Sequence, residues 1–201
     1  MSPVLPAEAK TRGRPRDERA SRAIADAVMR QLNELGFAQM TMDGVAAEAG
    51  VARTTIYRRF QDRADLVTAV IAGQAPELPE GPSEDPRGDL IRFLSMFDES
   101  FGELCLEVIG SLLGSREDPQ ALELHRRRVV EPRSGYARGL LVRAQELGQI
   151  DPKADLDLAL QMLVGSVFAR RVKGTPASRG WATRAVDAIW RGMAPQHGPG
   201  G

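Results

Sequence analysis

Arginine is the chemically capable residue of this sequence, and it is clustered. Lys10, Arg12, Arg14, Arg16, Arg19 and Arg22 face only Asp17 and Glu18, while Arg53, Arg58, Arg59 and Arg63 face only Asp62. The whole chain balances 27 Lys and Arg against 27 Asp and Glu. Two local excesses in a neutral chain suit contact with a polyanion rather than a general basic character. Guanidinium groups clamp phosphate oxygens and read the O6/N7 edge of guanine bidentately. For either cluster alone, a solvated helix face is the competing reading.

No other constellation carries chemistry. The two histidines, His125 and His197, stand far apart, and neither has a Ser–His–Asp partner set or a metal-ligand cluster nearby. There is no phosphate loop and no dinucleotide fingerprint. Cys105 sits among Leu104, Leu106 and Val108 and reads as a small buried hydrophobe. Asp151, Asp155 and Asp157 read as turn and helix-start residues rather than a cation site. An enzyme is not expected, and no cofactor or metal is implied.

The elements that must position the arginines are helical. With 201 residues and 42% hydrophobic content the chain can bury a core without staples, and no strand-like alternation of useful length is present. No run of about 18 apolar residues occurs, and the first 20 residues lack an apolar stretch, so neither a membrane span nor a secretory signal is expected. A lone cysteine fits the reducing cytoplasm.

Pro76, Pro79, Pro82 and Pro86 interrupt the helical pattern. The predicted organisation is a flexible basic arm at 1–18, a DNA-binding block at 19–73, a Pro-rich linker at 74–86, a helical block at 87–194 and a disordered tail at 195–201. In the first block Ile24, Val28, Leu32 and Leu35 form one stripe and Gly36 closes the helix. Thr41 caps a short helix with Val45, Ala46 and Ala49 inside, Gly50 turns the chain, and a second short helix points Ile56 and Phe60 inward. Asp62 caps a fourth helix. Two short helices joined through a glycine form a helix-turn-helix.

The stretch TMDGVAAEAGVARTTIYRRFQDRADL, residues 41–66, closely resembles the N-terminal domain of tetracycline-repressor-like regulators. Thr41, Val45-Ala46, Ala49-Gly50-Val51, Arg53-Thr54-Thr55, Ile56-Tyr57, Phe60 and Arg63 follow the family pattern in order. Ala52 departs from it, standing where members often carry a Ser or Thr cap. The resemblance implies an all-α protein: a helix-turn-helix followed by a helical ligand-binding and dimerisation domain, acting as a ligand-responsive repressor on a palindromic operator. A recognition helix lays its N-terminal residues toward base edges, so Arg53, Thr54, Thr55, Tyr57 and Arg58 are the expected DNA contacts. Tyr57 resembles the phosphate-contacting tyrosine of the family. Arg59 and Arg63 read as phosphate clamps, with Thr41 adding a hydroxyl at a helix start. In the arm, Arg12, Arg14 and Arg16 flank a Gly and a Pro and suit an extended segment in a narrow minor groove.

In the second block five helices are predicted, at 87–102, 104–115, 119–147 (kinked or split at Pro132), 153–173 and 177–193. If the family layout holds, Phe97, Phe101, Cys105, Ile109, Tyr136, Gln161 and Phe168 surround a cavity for an unidentified small-molecule effector. Apolar faces at Leu156, Leu160, Leu163 and Val167, and at Ala182, Val186, Ile189, Trp190 and Met193, are the expected homodimer surface. The rival reading is a helical scaffold that binds nucleic acid loosely or not at all.

Overall fold

The computed structural model describes residues 14–74, 76–114 and 119–195, with side chains described for 18–74, 76–100 and 122–195. Among these residues every regular element is helical. The chain packs as two compact units that part between Leu66 and Val67, inside a helix that the sequence places wholly in the DNA-binding block.

The first unit contains α1 (Arg14–Gln39), α2 (Met42–Glu48), α3 (Arg53–Arg59) and the start of α4 (Arg63–Gln74). Helix α1 opens with Pro15 in its first turn, where the missing N–H would have no helical partner in any case. Arg14 and Arg16 therefore begin a helix instead of extending a flexible arm, whereas Arg12 lies outside the described residues. Ile24, Ala27, Val28 and Leu32 are buried on one face. Gly36 then takes φ 73° and ψ 165°, a region essentially closed to residues with a Cβ, and kinks the helix. The kink changes the helical phase, so Phe37 and Met40 enter the core in place of Leu35, which is 45% exposed.

Helix α2 starts where Thr41 Oγ1 accepts the Gly44 amide at 3.0 Å, the expected cap. It ends in paired bonds from Gly50 N–H to the Ala47 carbonyl and Val51 N–H to the Ala46 carbonyl, with Gly50 at φ 64°. This turn requires a left-handed residue, and it sets the angle between α2 and α3. Val45, Ala46 and Ile56 are essentially inaccessible; Ala49 and Phe60 are only half-buried. Burying Ile56 contributes roughly 1.5–3 kcal/mol. Helix α3 starts at Ala52 without a side-chain cap, whereas Asp62 caps α4 through the Asp65 amide at 2.8 Å.

Glu48 at the end of α2 accepts from Arg30 and from the largely buried Gln31 on α1. The bonds from Arg30 and then Gln31 hold the Glu48 carboxyl below its ordinary range. Gly44 leaves room for this cluster: a Cβ there would lie 3.0 Å from both Gln31 Nε2 and Thr41 Oγ1. Gly44→Ala is expected to cost about 1–2 kcal/mol by displacing cap and bridge together. Urea unfolding followed by circular dichroism checks this, and an unchanged midpoint would show that the neighbours give way freely.

The second unit comprises the rest of α4 with α5 (Pro86–Gly114), α6 (Pro119–His125), a π-helical turn at Arg126–Val130, α7 (Glu131–Glu146), α8 (Leu156–Val172) and α9 (Trp181–Gly192). Asp85 caps α5 through the Gly88 amide at 2.9 Å, and Pro86 takes the first helical position. Helix α5 runs unbroken through Gly102, where a break between two helices was expected. It packs against α7, α8 and α9, which makes it the spine of this unit. Pro132 does not split the following helix. It has no N–H to give, and the π turn just before it widens the helix so that the Glu131 N–H reaches the Arg126 carbonyl five residues back.

Leu156, Leu160, Leu163 and Val167 of α8, with Val186 of α9 and Met193 just after it, are buried in the core of their own unit. They are therefore not a free dimer face. Ile189 and Trp190 pack at the edge of the same core. The apolar surface left open on α8 is Leu158, Met162, Ala169 and Val172, one helical stripe completed by Gly165. The first block of apolar residues satisfies the internal core, so the leftover side is the opposite one, about half a turn round the helix.

Candidate functional site

The α2–turn–α3 arrangement leaves one outward face carrying the expected DNA-reading residues. Ile56 is the only fully buried residue of α3, and Thr55 is half-buried beside it. Arg53, Thr54, Tyr57 and Arg58 are exposed. Tyr57 is 54% exposed, so its ring is not a core element and its hydroxyl is available to a phosphate. Arg53 forms an ion pair with Asp43 of α2 at 3.2 Å, with its own side chain 71% exposed. At that exposure the pair holds the guanidinium loosely, and a phosphate or guanine edge can displace the carboxylate.

Arg59 donates to Ser21 Oγ on α1 at 3.2 Å, which holds its guanidinium at the junction of α3 and α1. Arg63 has a structural duty that its sequence position does not disclose. Its Nη1 donates to the carbonyls of Ala38 at 2.8 Å and Met40 at 3.2 Å, and its guanidinium lies 4.4 Å from the Phe37 ring centre. The carbonyls belong to the last turn of α1 and to the residue just after it, so Arg63 ties the kinked end of α1 to the start of α4. Arg63→Ala should consequently lower the stability of the first unit by about 1–2 kcal/mol, besides any effect on DNA. A thermal unfolding curve matching the unmodified protein would return Arg63 to the role of a simple surface clamp. Thr41 commits its hydroxyl to the Gly44 amide, with the residue itself exposed. The side chains of Arg14 and Arg16 lie outside the described residues.

In the second unit a cavity of about 260 Å³ lies among α5, α8 and the α6–α7 segment. Phe93 and Phe97 of α5 line it, with Leu160, Val164 and Phe168 spaced one turn apart on α8. Phe97 meets Phe168 edge-on at 6.1 Å. The remaining wall is His125, Val129, Val130, Arg133, Ser134 and Ala137. Of the residues expected to surround a cavity, Phe97 and Phe168 do so. Tyr136 does not: it stands about 100° round α7 from Ala137 and packs on Phe93 at 5.9 Å. Gln161 is exposed, one residue off the Leu160–Val164–Phe168 stripe. Phe101, Cys105 and Ile109 lie outside the described side chains.

The polar part of this wall escaped sequence reasoning. His125 is 2% exposed, and its Nδ1 has no hydrogen-bond partner. Burial first, and then the charge of Arg133, push the imidazole pKa below its ordinary value. The folded protein thus takes up this proton less readily than the unfolded chain. The stability it withholds appears once the unfolded form begins to protonate, so stability should fall as pH drops below about 6.5. His125→Gln should flatten the dependence between pH 7.5 and 5.5, as read from urea midpoints; an equally steep loss in the variant would assign it to other groups. The spacing His125–Val129–Arg133–Ala137 was the available signal, although in regular winding His125 and Arg133 would stand about 80° apart and the π turn brings them together.

Residues 24–70 match the family described as bacterial regulatory proteins, tetR family. Residues 81–189, more than half of the chain, match the tetracyclin repressor-like C-terminal domain. The chain belongs to the tetracycline-repressor family. It is a DNA-binding transcriptional regulator and not an enzyme. Among relatives of this TetR-family protein, the HTH-type transcriptional regulator YdeS of Bacillus subtilis is 29% identical over 161 residues, 79% of this chain and 81% of YdeS. The DNA-binding transcriptional repressor TetR of Mycobacteroides abscessus is 25% identical, over 87% of this chain and 93% of its own. The crystal structure of the TetR family transcription regulator SCO0332 superposes with a TM-score of 0.62 at 26% identity, over 88% of this chain and 100% of that one. Among the described residues of this TetR-family chain, no helix is long and apolar enough to cross a membrane, and no group of ligands suits a metal ion.

Proposed function

We propose that this regulator represses transcription by binding, as a homodimer, an operator of two inverted half-sites, and that a small molecule in the C-terminal cavity releases it. The observation that carries the reading is the outward face of α3. Ile56 fixes the helix from beneath, and Arg53, Thr54, Tyr57 and Arg58 stand clear of the core on the other side. A helix of seven residues ending in two arginines suits a major groove, with side chains for base edges at its start and cations for phosphates at its end.

Dimerisation is supported by the apolar stripe Leu158–Met162–Ala169–Val172 left open on α8, since exposed contiguous apolar surface seeks a partner. A two-fold dimer presents two recognition helices and so demands two inverted half-sites. The named repressor of M. abscessus favours repression over activation. The cavity supplies a place where a ligand with unequal affinity for two conformers can shift their populations.

The test is fluorescence anisotropy with the intergenic duplex upstream of the gene and a scrambled duplex, at physiological salt. Binding about a thousandfold tighter to the specific duplex, with one dimer bound, supports the proposal. Equal, salt-sensitive binding to both duplexes, repeated on other candidate promoters, would replace it with the loosely binding helical scaffold.

A further inference from the structure

The cavity wall is asymmetric in a way that selects among ligands. Phe93, Phe97, Leu160, Val164 and Phe168 make an apolar bowl, while one edge carries His125, Arg133 and Ser134. None of the described lining residues is acidic. Arg133 is directed along its own helix by a bond from Nη1 to the Val129 carbonyl at 3.1 Å. The buried His125 Nδ1 is left without a partner, an arrangement that costs free energy unless something fills the site.

We infer that the cavity binds a compact, largely aromatic or aliphatic monocarboxylate whose carboxylate group lies between His125 and Arg133. The apolar bowl would take the hydrocarbon body, because burying it there removes apolar surface from water. The carboxylate would accept from the His125 ring nitrogen and from the Arg133 guanidinium. A charge-assisted pair of that kind is stronger than a neutral hydrogen bond. A neutral amide or alcohol could satisfy His125 but would form no ion pair with Arg133. An amine would meet a cation and be rejected. With a cavity of about 260 Å³, just under the usual size for drug-sized ligands of about 300–1,000 Å³, the occupant is small.

This inference rests on the reading of the cavity as the effector site, and the experiment separates the two. Titration calorimetry on the full-length protein compares 4-phenylbutyrate and octanoate with 4-phenylbutyramide, 4-phenylbutanol and 4-phenylbutylamine. The carboxylates are expected to bind about tenfold or more tightly than their neutral counterparts, with the amine weakest. His125→Leu and Arg133→Met should each reduce that preference while leaving the neutral compounds nearly unaffected. Arg133→Met, which retains an apolar stem, keeps the test meaningful if the histidine variant folds poorly. Equal affinity for amide and carboxylate, a preference that survives both substitutions, or no saturable binding of either acid would overturn the inference. Histidine- and arginine-dependent carboxylate binding that leaves operator affinity unchanged would sustain it and instead remove the cavity's role in DNA release.

Discussion

Replacing Asp98 by alanine is expected to destabilise the C-terminal unit by about 3–5 kcal/mol, the cost of stranding buried charge. Asp98 sits on α5 with 7% exposure. Its Oδ1 accepts from Arg170, and from Arg171 Nε at 3.2 Å and Nη2 at 2.9 Å. Its backbone carbonyl accepts again from Arg171 Nη2 at 2.6 Å. The arginine side chains are 10% and 20% exposed, so one carboxylate holds two guanidinium groups that water barely reaches. Without it two neighbouring cations on α8 are left against α5 with no carboxylate between them. Among the described residues Arg170 would keep the Thr175 carbonyl and the face of Trp181, at 4.8 Å from the ring centre. Asp98→Asn retains an accepting oxygen and should lose less. Urea unfolding monitored at the helical band measures both. A loss below about 1 kcal/mol for the alanine variant would mean that solvent already screens the triad.

Arg53→Ala carries the largest expected effect on DNA. Loss of a bidentate contact at a base edge costs about 1–3 kcal/mol and relaxes the preference at one operator position in each half-site. The fold should change little, because the Arg53 side chain is 71% exposed and is held only by its 3.2 Å ion pair with the half-buried Asp43 among the described residues. That separates it from Arg63→Ala, where weaker binding would arrive together with lost stability. Competition binding against single-base variants of the operator gives the result. A uniform weakening over all variants, with a salt slope reduced by about one phosphate contact, would move Arg53 from base reading to backbone clamping.

The first unit was largely legible from the chain because its signals are local. Thr41, Gly50 and Asp62 act within four residues of themselves, so the cap, turn and cap follow from residue type. Leu35 was misplaced because periodicity assumes an unbroken helix, and the Gly36 kink resets the phase. The role of Arg63 at Ala38 and Met40 spans more than 20 residues of chain, and charge alone pointed to phosphate instead. In the second unit, helical residues such as Leu160 and Leu163 announce burial without saying whether their own unit or a second copy covers them. The Asp98–Arg170–Arg171 cluster joins residues about 70 apart, beyond any local pattern. The cavity was half legible: its aromatic wall follows from composition, but His125 and Arg133 meet only because of how the helix between them is wound.

That winding has a consequence for how such a protein can change its ligand. The π turn at Arg126–Val130 places five residues where a regular helix would place four, so it absorbs one extra residue without turning the flanking helical segments against each other. Removing a single residue there would restore regular winding with His125 and Arg133 still on one face, whereas regular winding that kept the residue would turn His125 away from Arg133 by about 100°. Ligand preference in this unit could thus change with the winding of one turn, independently of the residues that read DNA.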